Sequence, residues 1–157
     1  MAEFRRLRHD ETDQAATLHR RASKLIPGYP MLHTPEEDSA YYRERVFEEG
    51  PIWGAFDGGT LLGHLALYAD WIEHLYVEPG RHGEGIGRAL LTIAKAARPD
   101  LQLWTFQANA RARRFYEAAG FVAQEFTDGA HNEEKQPDVR YRWRRLGARG
   151  RPRGRRG

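Results

Sequence analysis

The sequence contains no cysteine and no long apolar run, and each absence excludes classes of protein. Without a thiol, the chain has no disulfide framework, no thiolate metal site and no cysteine nucleophile. No segment approaches the roughly 18 consecutive apolar residues of a membrane span, and residues 1–6 lack the apolar stretch of a secretory signal. We therefore expect a cytoplasmic protein without contact to the membrane.

The carboxyl-terminal segment differs in composition from the rest of the chain. Residues 144–157 hold seven of the 25 basic residues and no acid, so 18 basic residues face 22 acidic ones elsewhere. Such a segment has too little apolar surface to offset the entropy lost on ordering. We predict one domain over residues 1–146 and a disordered basic tail over residues 147–157. The tail arginines could contact phosphates of nucleic acid, and the alternative is a solvated extension.

Apolar periodicity predicts the order β, α, α, β, β, β, α, β, α, β, β. A capping box at Thr34 to Glu37 marks the start of the second helix. The residues 26–33 before it, with two prolines and a glycine among large apolar residues, predict an ordered loop that could line a pocket. The order predicts an α/β protein of mixed α+β type, with a mixed sheet flanked by helices. The strands are predicted over residues 4–8, 52–56, 61–68, 71–77, 101–106, 121–126 and 139–143, and the other helices over residues 13–25, 86–97 and 109–119.

Three glycines, Gly83, Gly85 and Gly87, join the strand that ends at Val77 to the helix that begins at Ile86. Unshielded backbone N–H groups at a helix N-terminus favour an anion such as a phosphate. The spacing of two fits neither the dinucleotide fingerprint nor a Walker loop. The alternative is a tight strand-to-helix turn without a ligand.

This segment resembles the pyrophosphate loop of the GNAT superfamily of N-acetyltransferases, whose pattern is Gln/Arg-x-x-Gly-x-Gly/Ala. His82, Gly85 and Gly87 occupy the pattern, with His82 in place of Gln or Arg, and Arg81 or Arg88 could supply the missing charge. Two further segments are similar to the family's fourth strand and fourth helix, namely residues 75–77 and residues 109–116 with Gly120-Phe121. The resemblance implies the GNAT acyltransferase fold, a central, mainly antiparallel sheet of about seven strands with four helices, splayed between strands 4 and 5.

The resemblance also implies acetyl-CoA as the acetyl donor, with coenzyme A as a product. The pyrophosphate would bind at the glycine loop, and the pantetheine arm would pair with the fourth strand. The residues implied in cofactor binding are Leu75, Tyr76, Val77, His82, Gly83, Glu84, Gly85, Ile86, Gly87, Arg88, Asn109, Phe115 and Tyr116. For Asn109 a helix-capping role is compatible with this one, and for Phe115 packing is an alternative.

Three residues are candidates for the chemistry. Tyr116 matches the family's frequent general acid, and the alternative is a core tyrosine. Strand alternation places Glu73 on the face of Leu75 and Val77, so we predict Glu73 as the general base and keep His74, on the opposite face, in reserve. A surface salt bridge for Glu73 and a half-buried structural role for His74 are the alternatives. The seven histidines show no metal-ligand spacing, and we predict no metal.

The resemblance implies an acceptor site formed by the first two helices, their loop and the last hairpin, so Tyr29, His33 and Tyr41 are candidate acceptor residues. Acidic residues in 128–135 and Asp138 would suit a cationic amine at the mouth of the site, and a solvated loop is the alternative. Three hypotheses remain open. The chain acetylates a small primary amine or amino-acid-like metabolite, it acetylates a macromolecule recruited by the tail, or it is a coenzyme-A sensor without turnover. A homodimer is compatible with all three.

Overall fold

The computed structural model describes residues 2–147. Residue 1 and residues 148–157 lie outside the described part, and with them almost all of the tail that the sequence predicts to be disordered. Within residues 2–147 no helix combines the length and the apolar character needed to cross a bilayer.

Seven strands of the described chain form one mixed sheet in the order β1-β2-β3-β4-β5-β7-β6. Neighbouring strands run antiparallel except β4 and β5, which run parallel. Short turns explain the antiparallel pairs: the β2–β3 hairpin turns at Gly58, whose φ of +63° favours glycine. The strands are β1 Glu3–Arg6, β2 Ile52–Asp57, β3 Thr60–Tyr68, β4 Trp71–Val77, β5 Asp100–Phe106, β6 Val122–Phe126 and β7 Asp138–Arg144.

Four helices cover the two faces of the sheet: α1 Thr12–Ser23, α2 from Pro35 to Glu49, α3 Ile86–Ala97 and α4 Ala110–Ala118. Helix α2 has α-helical ends, Pro35–Tyr41 and Phe47–Glu49, with a wider π-helical stretch, Tyr42–Val46, between them. The predicted capping box opens it, since the Thr34 Oγ1 accepts from the Glu37 N–H at 3.1 Å and a Glu37 carboxylate oxygen accepts from the Thr34 N–H at 2.8 Å.

The two faces carry separate cores. On one face α3 and α4 pack against the sheet around Leu90, Leu101 and Tyr141. On the other face α1 and α2 pack around Leu18, Tyr42 and Phe56. Both helix layers bury their apolar stripe and leave polar residues outside, as amphipathic helices do.

The sheet opens between β4 and β5. The two strands share one register pair, Trp71 with Gln102, and the Gln102 N–H donates to the Asp70 carbonyl at 2.9 Å. Beyond this point they diverge, while β5 stays paired with β7 along its whole length. Beyond Trp71, the edge of β4 that faces β5 is therefore left without a strand partner. A cleft lies there between the two halves of the sheet.

The fold class predicted from the sequence is confirmed, including the mixed sheet, the four helices and the opening between strands 4 and 5. Element bounds differ by one or two residues at most ends. The first strand ends at Arg6 rather than Arg8, and the chain turns into a 3-10 helix, His9–Glu11, shortly after it. Helix α1 ends at Ser23 rather than Leu25. A turn closed by the hydrogen bond from the Ile26 N–H to the Ser23 carbonyl leads into the loop 26–33.

Candidate active site

The cleft between β4 and β5 has a volume of about 920 Å³ and extends from the glycine loop to the loop after α1. Its size falls within the range usual for a small-molecule site. The lining combines apolar strand residues with the polar glycine loop and the first turns of α4. The lining consists of Ala22 and residues 25–27, 72–77, 81–88, 103–106, 108–112 and 115–116.

The glycine loop forms an anion-binding cradle at one end of the cleft. Gly83 and Gly85 have φ of +88° and +86°, and a Cβ added at either would meet no heavy atom within 4 Å. Gly85 is the N-cap of α3. The N–H groups of the four residues from Gly85 to Arg88 donate to no described residue. These unpaired amides and the positive end of the helix dipole converge on open space, as a phosphate site requires.

Gly87 has a packing role instead. A Cβ at this position would lie 3.3 Å from the Phe115 Cζ and 3.5 Å from the Val77 Cγ2. The absent side chain lets α3 approach α4 and the end of β4 closely. Phe115 thus packs against the glycine loop, as the packing alternative predicts, and it also lines the cleft. Its contact with a cofactor stays a prediction.

The charge around the loop comes from arginines. Arg81 donates to Glu84 at 2.9 Å, which fixes both side chains at the loop rim. Burial, with a smaller effect of the Arg111 charge, lowers the pKa of His82, so its imidazole is neutral at physiological pH. Sequence reasoning missed Arg111, which lines the cleft; its place two residues after Asn109, in the first turn of α4, was the available signal.

Strand β4 contains a bulge that the sequence did not predict. Leu65 pairs with Leu75, Ala66 with His74 and Leu67 with Ile72, so Glu73 is the extra residue. The predicted alternation is wrong here. Ile72, not Glu73, packs in the core together with Leu75 and Val77. Glu73 instead lies on the α2 side with His74, where its charge acts on Tyr41.

Glu73 and His74 have different surroundings on that face. Partial burial and the charge of Glu49 raise the pKa of Glu73, which keeps it a stronger base than an ordinary carboxylate. His74 Nε2 lies 2.9 Å from the Tyr41 hydroxyl, and its Nδ1 is buried without a partner among the described residues. Burial lowers the pKa of His74 well below its usual value, with His19 and His64 adding to the effect. A pKa this far below the usual value makes His74 a weak base.

Tyr116 lies at the floor of the cleft. Its ring packs edge-on against Phe115 and Phe121, with centroids 5.2 and 5.5 Å away. The residue is 7% exposed, and no described residue hydrogen-bonds to its hydroxyl. Burial raises the pKa of Tyr116, so the phenol keeps its proton at neutral pH. A protonated hydroxyl that borders the cleft can donate to a ligand atom.

Asn109 caps α4. Its side-chain oxygen accepts from the Ala112 N–H at 3.2 Å, as the capping alternative predicts. The side chain also borders the cleft, and its amide nitrogen donates to no described residue. The predicted contact with a pantetheine arm stays a prediction.

The three candidate acceptor residues lie around the cleft rather than in its lining. Tyr41 contacts His74, the Tyr29 ring lies 5.8 Å from the Phe106 ring, and His33 Nε2 lies 2.9 Å from a Glu133 carboxylate oxygen. The last contact joins the loop 26–33 to the segment 128–135. The structure therefore brings these residues to one end of the cleft, opposite the glycine loop.

Asp138 does not contribute to an acidic mouth, contrary to the sequence expectation. Its side chain is buried and is bonded to Thr127 and to Asn132, the latter at 3.1 Å. These bonds hold the turn before β7. Among residues 2–147 no group of three or more His, Cys, Asp or Glu side chains is arranged to hold a metal ion.

Comparison with known sequences gives three relevant matches. The family model described as "Acetyltransferase (GNAT) family" matches residues 18–121. Peptidyl-lysine N-acetyltransferase YjaB of Salmonella typhimurium is 28% identical over 122 residues, which cover 77% of this chain and 83% of that protein. Peptidyl-lysine N-acetyltransferase YiaC of Escherichia coli is 32% identical over 95 residues, which cover 60% of this chain and 63% of that protein.

Solved structures share the fold. The solution structure of apo YjaB from Escherichia coli superposes with a TM-score of 0.75 at 22% identity, covering 91% of this chain and 97% of that one. The PaiA N-acetyltransferase of Thermoplasma acidophilum, solved with coenzyme A, superposes with a TM-score of 0.66 at 22% identity, covering 92% and 99%.

Proposed function

Since this chain belongs to the GNAT family of acetyltransferases, we propose that it transfers the acetyl group of acetyl-CoA to a primary amine held in the cleft between β4 and β5. The observation that carries this proposal is the turn at Gly85. Four unpaired amides at the start of α3 open onto the same cleft as the Tyr116 hydroxyl and the Glu73 carboxylate. An anion-binding end and a proton-transfer centre thus share one cavity.

The residues of the loop fit coenzyme A. The amides of Gly85 to Arg88 would hold the pyrophosphate, with Arg81, Arg88 and Arg111 nearby to balance its charge. The unpaired edge of β4 would take the pantetheine arm as an added strand. The PaiA structure, which shares this fold, contains coenzyme A. When bound, acetyl-CoA supplies an activated acetyl carbon, and the thiol leaves as free coenzyme A.

Two side chains would manage the protons. An alkyl ammonium cannot act as a nucleophile, so Glu73 would accept one proton from it and leave a neutral amine. Tyr116 would donate its phenol proton to the departing sulfur and recover a proton from the nitrogen as the amide forms. The roles of all the predicted site residues remain proposals. His74 would contact Tyr41 and pack against its neighbours, and it would not act as the base.

The acceptor that the comparisons favour is a lysine side chain. Both YjaB and YiaC carry names that specify peptidyl-lysine as their substrate. A small amine or amino-acid-like metabolite, which the sequence reading placed first, is the competing acceptor. Recruitment by the basic tail stays a prediction, because almost all of the tail lies outside the described residues. Cytoplasmic location also stays a prediction.

A thiol-release assay tests the function. Acetyl-CoA is incubated with the protein and with a peptide carrying one internal lysine, with free lysine, or with a short alkyl amine. We expect release of free thiol, acetylation of the peptide detected by mass spectrometry, and a higher kcat/KM for the peptide than for the small amines. If no amine releases thiol and acetyl-CoA does not raise the melting temperature, the acetyltransferase proposal fails. If only the small amines react, the lysine assignment alone fails.

A further inference from the structure

Two side chains face the opening of the sheet from opposite strands. Trp71 and Gln102 form the shared register pair of β4 and β5. Two residues further along each strand, Glu73 and Trp104 follow, at the point where the strands have begun to separate. Both line the cleft. The bulge turns Glu73 to the α2 side of the sheet, so the carboxylate and the indole border the same opening from opposite strands.

The Trp104 side chain lies on the face of β5 that points away from the core of α3 and α4, and contacts on that face orient it. Leu101 and Leu103 point into the core, so alternation directs Trp104 to the other face. The Trp104 and His131 ring centroids lie 5.1 Å apart, and His131 Nε2 is 3.3 Å from the Asp138 carboxylate. Asp138 is itself buried, at 4% exposed. A fixed chain of contacts thus orients an indole that remains 38% exposed, although it lines a cavity.

The surroundings of this pair fit an apolar stem that ends in a cation. Tyr76, Phe106 and Ile26 give the acceptor end of the cleft apolar walls. Two carboxylates line the cleft: Glu84, which is paired with Arg81, and Glu73, which has no ion-pair partner among the described residues. Glu73 is solvent-accessible, so a cationic ligand that enters the cleft can reach its carboxylate.

We propose that Trp104 and Glu73 form the acceptor subsite, in which the indole packs along the four-carbon stem of a lysine side chain and the carboxylate receives its ammonium. This inference rests on the proposed acetyltransfer and makes Trp104 the residue that selects stem length. An ammonium on a shorter stem would reach Glu73 only by giving up contact with the indole. Aromatic faces attract both apolar stems and cations.

The kinetic test compares Trp104→Ala, Trp104→Phe and a matched control, Tyr68→Ala. Tyr68 is an aromatic residue of β3 that is 49% exposed and does not line the cleft.

The acceptors are one peptide with lysine, ornithine or diaminobutyrate at the same position. In wild type we expect kcat/KM to fall with each shortening of the stem. In Trp104→Ala we expect the KM for the lysine peptide to rise about tenfold and the preference for lysine to shrink, with the KM for acetyl-CoA changed less than about twofold. Trp104→Phe should keep most of the preference, and Tyr68→Ala should behave as wild type.

A binding experiment tests the same subsite without turnover. The protein is saturated with coenzyme A and titrated with the lysine peptide while tryptophan fluorescence is recorded. We expect a saturable change that Trp104→Phe abolishes and that Trp53→Phe, a change on the distant strand β2, preserves. Wild-type acetylation combined with an unchanged KM in Trp104→Ala, or a fluorescence change that persists in Trp104→Phe, would overturn this subsite and leave acetyltransfer standing. Absence of thiol release with every acceptor would instead remove the proposed function itself.

Discussion

The Tyr116 hydroxyl is a single group placed between a packed core and a cavity. Its ring is fixed by Phe115 and Phe121, so removing the oxygen should leave the packing intact. For Tyr116→Phe we expect kcat to fall about 10²-fold or more, because general-acid catalysis contributes 10²–10⁴. Coenzyme A affinity, measured by calorimetry, should stay within about twofold.

Tyr68→Phe removes a hydroxyl outside the cleft and serves as the control. Unchanged kcat in Tyr116→Phe would assign Tyr116 to the core. Absence of turnover in the wild type would instead favour the sensor hypothesis.

The Glu73 carboxylate should set the acid limb of the pH profile. A base works only when unprotonated, and burial together with Glu49 raises the pKa of Glu73 above 4.5. We therefore expect kcat/KM to rise with pH through a midpoint above 4.5. Glu73→Gln should lower kcat about 10²-fold and remove this limb. Glu49→Gln should move the midpoint to lower pH, because a neighbouring negative charge is lost.

Measurement of kcat/KM from pH 5 to pH 9 decides between the two candidate bases. A limb that survives in Glu73→Gln and disappears in His74→Asn would exchange their roles.

At the scale of elements, the glycine turn before α3 has a backbone conformation on which both stability and ligand binding depend. Alanine at Gly85 would have to adopt a φ of +86°, which costs about 1–2 kcal/mol for a residue with a Cβ. For Gly85→Ala we expect a loss of about 1 kcal/mol in the free energy of unfolding and a coenzyme A Kd about tenfold higher, since relief of the strain turns the amides away.

Gly58→Ala is the matched control, because Gly58 also has a positive φ, +63°, with open space around it. It should lose similar stability in urea unfolding and keep the coenzyme A Kd. An equal loss of affinity in both variants would mean that the effect comes from stability rather than from the amides.

Some elements could be predicted from local sequence and others could not. The capping box at Thr34 and the glycine turn at Gly85 are local patterns with a direct physical cause, and both form as predicted. The bulge at Glu73 left no such signal, because Trp71 to Val77 has the composition of a regular strand. The bulge depends on the pairing of β4 with β3, and it reversed the face that was predicted for Glu73.

Across the whole molecule, three histidines from three elements surround Tyr42: His19 of α1, His64 of β3 and His74 of β4. The Tyr42 hydroxyl lies 2.8 Å from His19 Nδ1 and 2.9 Å from His64 Nε2. Burial lowers the pKa of His19 to about 4 and that of His64 to about 3. The unfolded chain binds protons near 6.5, so the folded state is fully stabilised above that pH and loses this contribution as the pH falls towards 4 and 3.

We expect the free energy of unfolding in urea to be lower at pH 5 than at pH 7. His64→Phe should reduce that difference by about 1–2 kcal/mol, since one buried histidine no longer gains a proton on unfolding. Ile52→Val, another buried change, should cost about 1 kcal/mol at both pH values and keep the wild-type difference. Parallel pH dependence in wild type and His64→Phe would contradict neutral burial of His64.

The fold as a whole was predictable because its periodic segments and turns are local, and the family resemblance is confirmed by the match over residues 18–121. The acceptor end was less predictable. Its contacts join distant residues, Trp104 with His131 and His33 with Glu133, the latter 100 positions apart. Only the tertiary fold brings these side chains together, so single-sequence patterns gave candidates such as Tyr41 without their partners.

Calorimetric titration of the full chain with coenzyme A tests the central claim most directly, because acetyltransfer, the acceptor subsite and the role of Tyr116 all require that the amides from Gly85 to Arg88 bind its pyrophosphate. We predict saturable heat with one site per chain, weakened about tenfold by Gly85→Ala and unaffected by Gly58→Ala. No heat with coenzyme A, together with binding of a nicotinamide dinucleotide or a nucleoside triphosphate, would contradict the account.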